Sequence, residues 1–138
     1  MQTGKITALY VRFSYDDGID AESGSIEHQK ALLKNYAESS GFTNLSYYAD
    51  DGYTGTNFNR PNFQRMMNDI RNGLVGAVIV KDMSRLGRNY LMVGQYVEIE
   101  FPKHNIRFIA ISDNVDSAKG MNDLLPINNL MNEWYSRD

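Results

Sequence analysis

The run Leu74-Val75-Gly76-Ala77-Val78-Ile79-Val80 carries no polar side chain. A strand that is apolar on both faces must be covered on both faces, which is the condition of a central strand in a parallel sheet. Parallel neighbours are joined by crossover connections, and these are usually helices. One short stretch therefore restricts the chain to layered α/β architectures.

The remaining segments supply the partners. Residues 6–13 read as a first strand, and Ser25 is an N-cap for a helix over 26–40 whose apolar stripe is Ile26, Leu32, Leu33 and Tyr36. Gly41 follows in the C′ position. Residues 45–49 form a second strand and run into the loop Asp50–Asn57. Asn59-Arg60-Pro61 opens a helix with proline at N1, turns Phe63, Met66, Met67 and Ile70 inward, and ends at Gly73. A polar, basic loop over 81–89 precedes a helix over 90–103, despite Pro102, and a strand over 106–111. The result is a three-layer α/β sandwich around a mostly parallel sheet of about four to five strands.

Composition narrows the function. The chain has 138 residues and a net charge of −3, with no cysteine and two histidines, His28 and His104, outside any zinc spacing. Disulfides and thiolate metal sites are excluded, and a metal-free protein is the expectation. No apolar run reaches membrane-spanning length, and a signal-peptide core is lacking. A stand-alone DNA-binding module is usually basic, so DNA affinity, if present, is expected from another part of the polypeptide. Residues 121–138 read as a helix with no stop signal, as in a chain that continues beyond Asp138.

The chemistry gathers at the ends of the strands. Alternation along the first strand sets Tyr10, Arg12 and Ser14 on one face. Arg60 lies just beyond the second strand, and Arg85 and Arg88 follow the third. Parallel connectivity brings such loops together. A hydroxyl before several guanidiniums suits attack on a phosphate, because arginine stays protonated and grips phosphate oxygens bidentately. The charge of a phosphoryl transition state can then be met without a metal. Surface arginines beside a turn-bound serine are the plain alternative.

Tyr10-Val11-Arg12-Phe13-Ser14, Ser25-Ile26-Glu27-His28-Gln29, Asp51-Gly52-Tyr53-Thr54-Gly55 with Arg60-Pro61, and Ser84-Arg85-Leu86-Gly87-Arg88-Asn89 together resemble the serine recombinase catalytic domain of the resolvase/invertase family. The resemblance is to its large members from transposons and integrative elements. It implies that Ser14 is the nucleophile forming a 5′-phosphoserine link to DNA, with Arg12, Arg60, Arg85 and Arg88 on the scissile phosphate. It further implies supporting roles for Tyr10, Gln29 and Asp51. Ser84 stands where small members carry aspartate, and Asp82, two residues earlier, is the candidate substitute. No cofactor is implied. The implied partners are double-stranded DNA and further copies of the chain, as dimer and tetramer, in a prokaryotic cytoplasm. Residues 1–120 would be the catalytic domain and 121–138 the start of a long dimerisation helix. Two other classes stay open. Asp16-Asp17, Asp50-Asp51 and Lys81 suit a magnesium-dependent phosphoacceptor receiver domain. A catalytically silent assembly domain of the same fold is the other.

Overall fold

The structure is a computed structural model and describes residues 4–13, 25–52 and 58–119. Strands β1 (Ile6–Phe13), β2 (Leu45–Asp51), β3 (Val75–Val80), β4 (Arg107–Ala110) and β5 (Val115–Asp116) form one sheet in the order β2-β1-β3-β4-β5. The first four run parallel, and only β5 is antiparallel, against β4. Every residue of β3 is buried, as its apolar run demands, while Leu74 lies outside the strand and is half exposed.

Helix α1 (Ile26–Ser39) packs Leu33 and Ala37 on Leu9, Val11, Ile79 and Ile109. Helix α2 (Pro61–Arg71) and the helical stretch 90–103, called α4, cover the other face. There Phe63, Met66, Met67, Val93, Val97 and Phe101 meet Ala8, Tyr10, Val78 and Phe108. The chain moves one way from β1 to β2 and the other way from β2 through β3 to β4. With right-handed crossovers, that reversal sends α1 and α2 to opposite faces.

The Ser25 hydroxyl accepts the His28 amide at 3.1 Å and caps α1 as the sequence implies. Past its end, Gly41 sits at φ +85°, a backbone that L side chains rarely adopt. Leu32, expected in the apolar stripe, is only half-buried, and the first of the helix's buried positions goes to Gln29. Helix α4 persists through Pro102. Its middle widens into a π turn at Tyr96–Glu100, between Tyr90–Gln95 and Phe101–Lys103. That turn lies beside the backbone bond a proline cannot make. Within the expected loop over 81–89, Met83–Leu86 forms a one-turn helix, α3. The terminal helix expected over 121–138 falls outside the described residues, as do the loops 14–24 and 53–57. Among the described residues, no helix is long and apolar enough to cross a membrane.

Candidate active site

The β1–β2 ladder extends to Phe13–Asp51, whereas the β1–β3 ladder stops at Leu9–Ile79. The sheet therefore opens between the C-terminal ends of β1 and β3. This is also where the chain reverses direction, the place where open α/β sheets form ligand crevices. The Arg12 backbone has lost its strand partner there, and the buried Gln29 replaces it. Its Nε2 donates to the Arg12 carbonyl at 2.8 Å, and its Oε1 accepts the Arg12 amide at 3.2 Å.

Arg12 and Arg60 are completely buried, and both aim at α3. Arg12 donates through Nη2 to the Ser84 carbonyl at 2.6 Å and through Nε to the Arg85 carbonyl at 3.1 Å. Arg60 donates through Nη1 to that same Arg85 oxygen at 3.2 Å and through Nη2 to the Leu86 carbonyl at 2.5 Å. A helix of one turn leaves its last carbonyls without helical partners, and the negative end of its dipole favours cations. The two guanidiniums meet both needs. Arg85 answers by donating from Nη1 to the Arg12 carbonyl at 3.2 Å. Three of the expected arginines are thus interlocked through main-chain oxygens. Arg88 lies on the same segment with its side chain exposed.

The Arg60 guanidinium is also enclosed by aromatic rings, 4.8 Å from Phe63, 4.9 Å from Phe58 and 5.6 Å from Tyr10. Its Nη1 donates to the Tyr10 hydroxyl at 2.8 Å, and that hydroxyl donates to Asp50 Oδ2 at 2.8 Å. Burial pushes the Tyr10 pKa well above its usual value, with Asp50 acting in the same direction and Arg60 against it. The phenol therefore stays protonated and works as a fixed hydrogen-bond relay.

Asp50 accepts two further bonds, from the amides of Asn62 at 3.0 Å and Phe63 at 2.9 Å. It caps α2, whose N-cap Arg60 makes no side-chain cap bond. The resemblance implies Asp51 as the acidic residue at the end of β2; alternation along β2 leaves Asp51 exposed and puts Asp50 in phase with buried Tyr48. The phase of Tyr48 is the sequence signal for the burial of Asp50. Asp82 does approach Arg85: its Oδ2 lies 3.7 Å from Arg85 Nε, and its Oδ1 accepts the Ser84 hydroxyl. Ser14, next after β1, falls outside the described residues. Among the described residues, no three His, Asp or Glu side chains converge on a possible metal position.

Comparison with known proteins gives a consistent set of likenesses. The family profile described as "Resolvase, N terminal domain" matches residues 7–137. The N-terminal catalytic domain of TP901-1 integrase superposes with a TM-score of 0.78 at 32% identity, covering 96% of this chain and 98% of that one. A resolvase family site-specific recombinase from Streptococcus pneumoniae gives 0.72 at 28% identity, covering 96% and 89%. A Bacillus subtilis (strain 168) protein named "Putative DNA recombinase" is 33% identical over 106 residues, 76% of this chain. The chain spans only 20% of that relative's length.

Proposed function

The chain belongs to the resolvase N-terminal domain family, and from that membership we propose that it is the catalytic part of a serine recombinase that cuts and rejoins DNA at specific sites. The observation that carries the reading is the interlock of Arg12, Arg60 and Arg85 at the crevice between β1 and β3. Ser14 follows two residues after Arg12 in sequence.

In the proposed reaction the Ser14 oxygen attacks the scissile phosphorus and forms an ester with the 5′ side. The bond to the 3′ oxygen breaks, and that oxygen takes up a proton. Asp82, Asp51 or a phosphate oxygen receives the serine proton. The guanidiniums of Arg85 and exposed Arg88 face the negative charge that builds on the phosphate, while Arg12 and Arg60 set the turn that carries them. Because the ester conserves the bond energy, religation is the same step reversed and requires no nucleotide. Double-stranded DNA and further copies of the chain, as dimer and tetramer, are the proposed partners. Excision or integration of a mobile element is the proposed outcome. Catalysis is proposed for residues 1–120, and a part in self-association for 121–138. A receiver-like role is disfavoured because the Asp50 oxygens are committed to Tyr10 and the α2 amides.

The test uses the natural polypeptide that contains this chain, with DNA from the ends of its element, in EDTA and quenched with denaturant. Protein covalently attached to a DNA 5′ end, lost in Ser14→Ala, supports the proposal. A magnesium-dependent phosphoaspartate in place of the adduct would overturn it.

A further inference from the structure

The turn between β4 and β5 is tied to the end of β3 and the segment that follows it at three points. Ile111 donates its amide to the Val80 carbonyl at 3.1 Å, and Ser112 donates to the Lys81 carbonyl at 2.7 Å. The third tie is a side chain: Asp113 Oδ2 accepts the Met83 amide at 2.8 Å. Asn114, at φ 57°, closes the turn behind it, with its amide on the Ile111 carbonyl at 3.1 Å.

Met83 is the first residue of α3. The N-cap of that helix, Asp82, makes no side-chain cap bond, because its carboxylate is turned to Ser84 and Arg85. The cap therefore arrives from thirty residues away in sequence. A four-residue helix is too short to be stable alone, so its position depends on what grips it. Arg12 and Arg60 hold the carbonyls at its C-terminal end, and Asp113 holds the amide at its N-terminal end.

We propose that Asp113 is a positioning residue that fixes the N-terminal end of α3, and through it the placement of Arg85 and Arg88. The inference rests on the recombinase reading above. Asp113 touches no reacting atom; it acts by orienting the turn. The acceptor oxygen is what matters, so asparagine should serve and alanine should not.

The experiment measures covalent adduct formation in a single turnover by the natural polypeptide, alongside DNA affinity, thermal midpoint and amide exchange at Met83. Asp113→Ala is expected to slow the adduct step about 10- to 100-fold, the usual effect of a displacement near 1 Å. DNA affinity should hold, and Met83 exchange should rise. Asp113→Asn should stay within about threefold of the parent rate. Cleavage by Asp113→Ala at the parent rate overturns the proposal, as does equal slowing by alanine and asparagine. If the alanine variant does not fold, Asp113→Glu decides: its acceptor is displaced by one methylene, so slowing supports the role and the parent rate refutes it. Failure of the unmodified protein to form any adduct would count against the recombinase reading instead. In that case Met83 exchange still reports whether Asp113 grips the turn.

Discussion

Gly87 lies directly beneath the ring of Phe58, so close that a Cβ at residue 87 would stand 2.1 Å from the ring's Cζ. The backbone there is extended, at φ 172°, so glycine is required by contact and not by conformation. Phe58 in turn lies over the Arg60 guanidinium at 4.9 Å and stacks on Tyr96 at 5.4 Å. The glycine between Leu86 and Arg88 thus lets an aromatic ring close over a buried cation.

Gly87→Ala is expected to cost about 1–3 kcal/mol, as overpacking does. Phe58→Ala should cost about 1–2 kcal/mol through the lost cation–π contact. The double variant should be less destabilised than the sum, because removing the ring removes the clash. Urea unfolding of the cycle checks this. Strict additivity would mean that the two residues do not press on each other.

Asp50 and Asp51 are adjacent but differ in what they hold. Asp50→Asn should destabilise by about 2–4 kcal/mol, since a buried carboxylate that accepts three donors is replaced by a poorer acceptor. Asp51→Asn should stay within about 0.5 kcal/mol, as exposed substitutions do. Tyr10→Phe removes the relay between Arg60 and Asp50 and should cost about 1–3 kcal/mol. Chemical denaturation of the three variants separates these cases.

What could be read from the sequence and what could not follow one division. The apolar run at 75–80 and Pro61 at the start of α2 are local signals, and each element stands where its pattern places it. Met83–Leu86 carries no such signal, because one turn has no periodicity and its cap comes from Asp113. Gln29 occupies a core position in α1 that a hydrophobic stripe cannot predict; it is there to complete a strand edge. The strand alternation that paired Tyr10 with Arg12 was legible. The complete burial of Arg12 and Arg60 was not, since arginines are mostly exposed. The carbonyls of a short helix, brought near by the fold, help make that burial tolerable.

The arginines should therefore separate by experiment. Arg12→Ala strips the guanidinium from the Ser84 carbonyl and leaves the Arg85 carbonyl to Arg60 alone, and is expected to cost about 3–5 kcal/mol. Arg88 is exposed, so Arg88→Ala should leave stability within about 0.5 kcal/mol. In the recombinase reading, Arg88→Ala nevertheless loses the covalent adduct. Thermal unfolding beside an adduct assay makes the comparison. A stable Arg12→Ala variant would mean that the turn holds its shape without the guanidinium.

Two carboxylates close together in sequence should push stability in opposite directions with pH. Burial raises the Asp113 pKa, with the Asp82 carboxylate acting the same way and the Met83 amide opposing. Asp113 therefore holds its proton more tightly in the folded chain. Its contribution is lost as pH rises from the unfolded value, about 4, through the raised folded value. Asp113→Asn keeps an acceptor for Met83 and removes the charge, so its stability relative to the parent should climb over that window and stay flat below it. Asp116 is shifted the other way, chiefly by the Arg107 side chain, which donates through Nε at 3.1 Å and Nη2 at 2.8 Å. Its stabilisation is present at neutral pH and is lost as pH falls through the depressed folded value. Asp116→Asn should accordingly be less stable than the parent near neutrality, by up to about 1 kcal/mol for a pair whose arginine is open to solvent, and equal to it in strong acid. Unfolding free energies of the two variants and the parent from acid to neutral pH test both signs together. Parallel curves for the two variants would contradict the assigned environments.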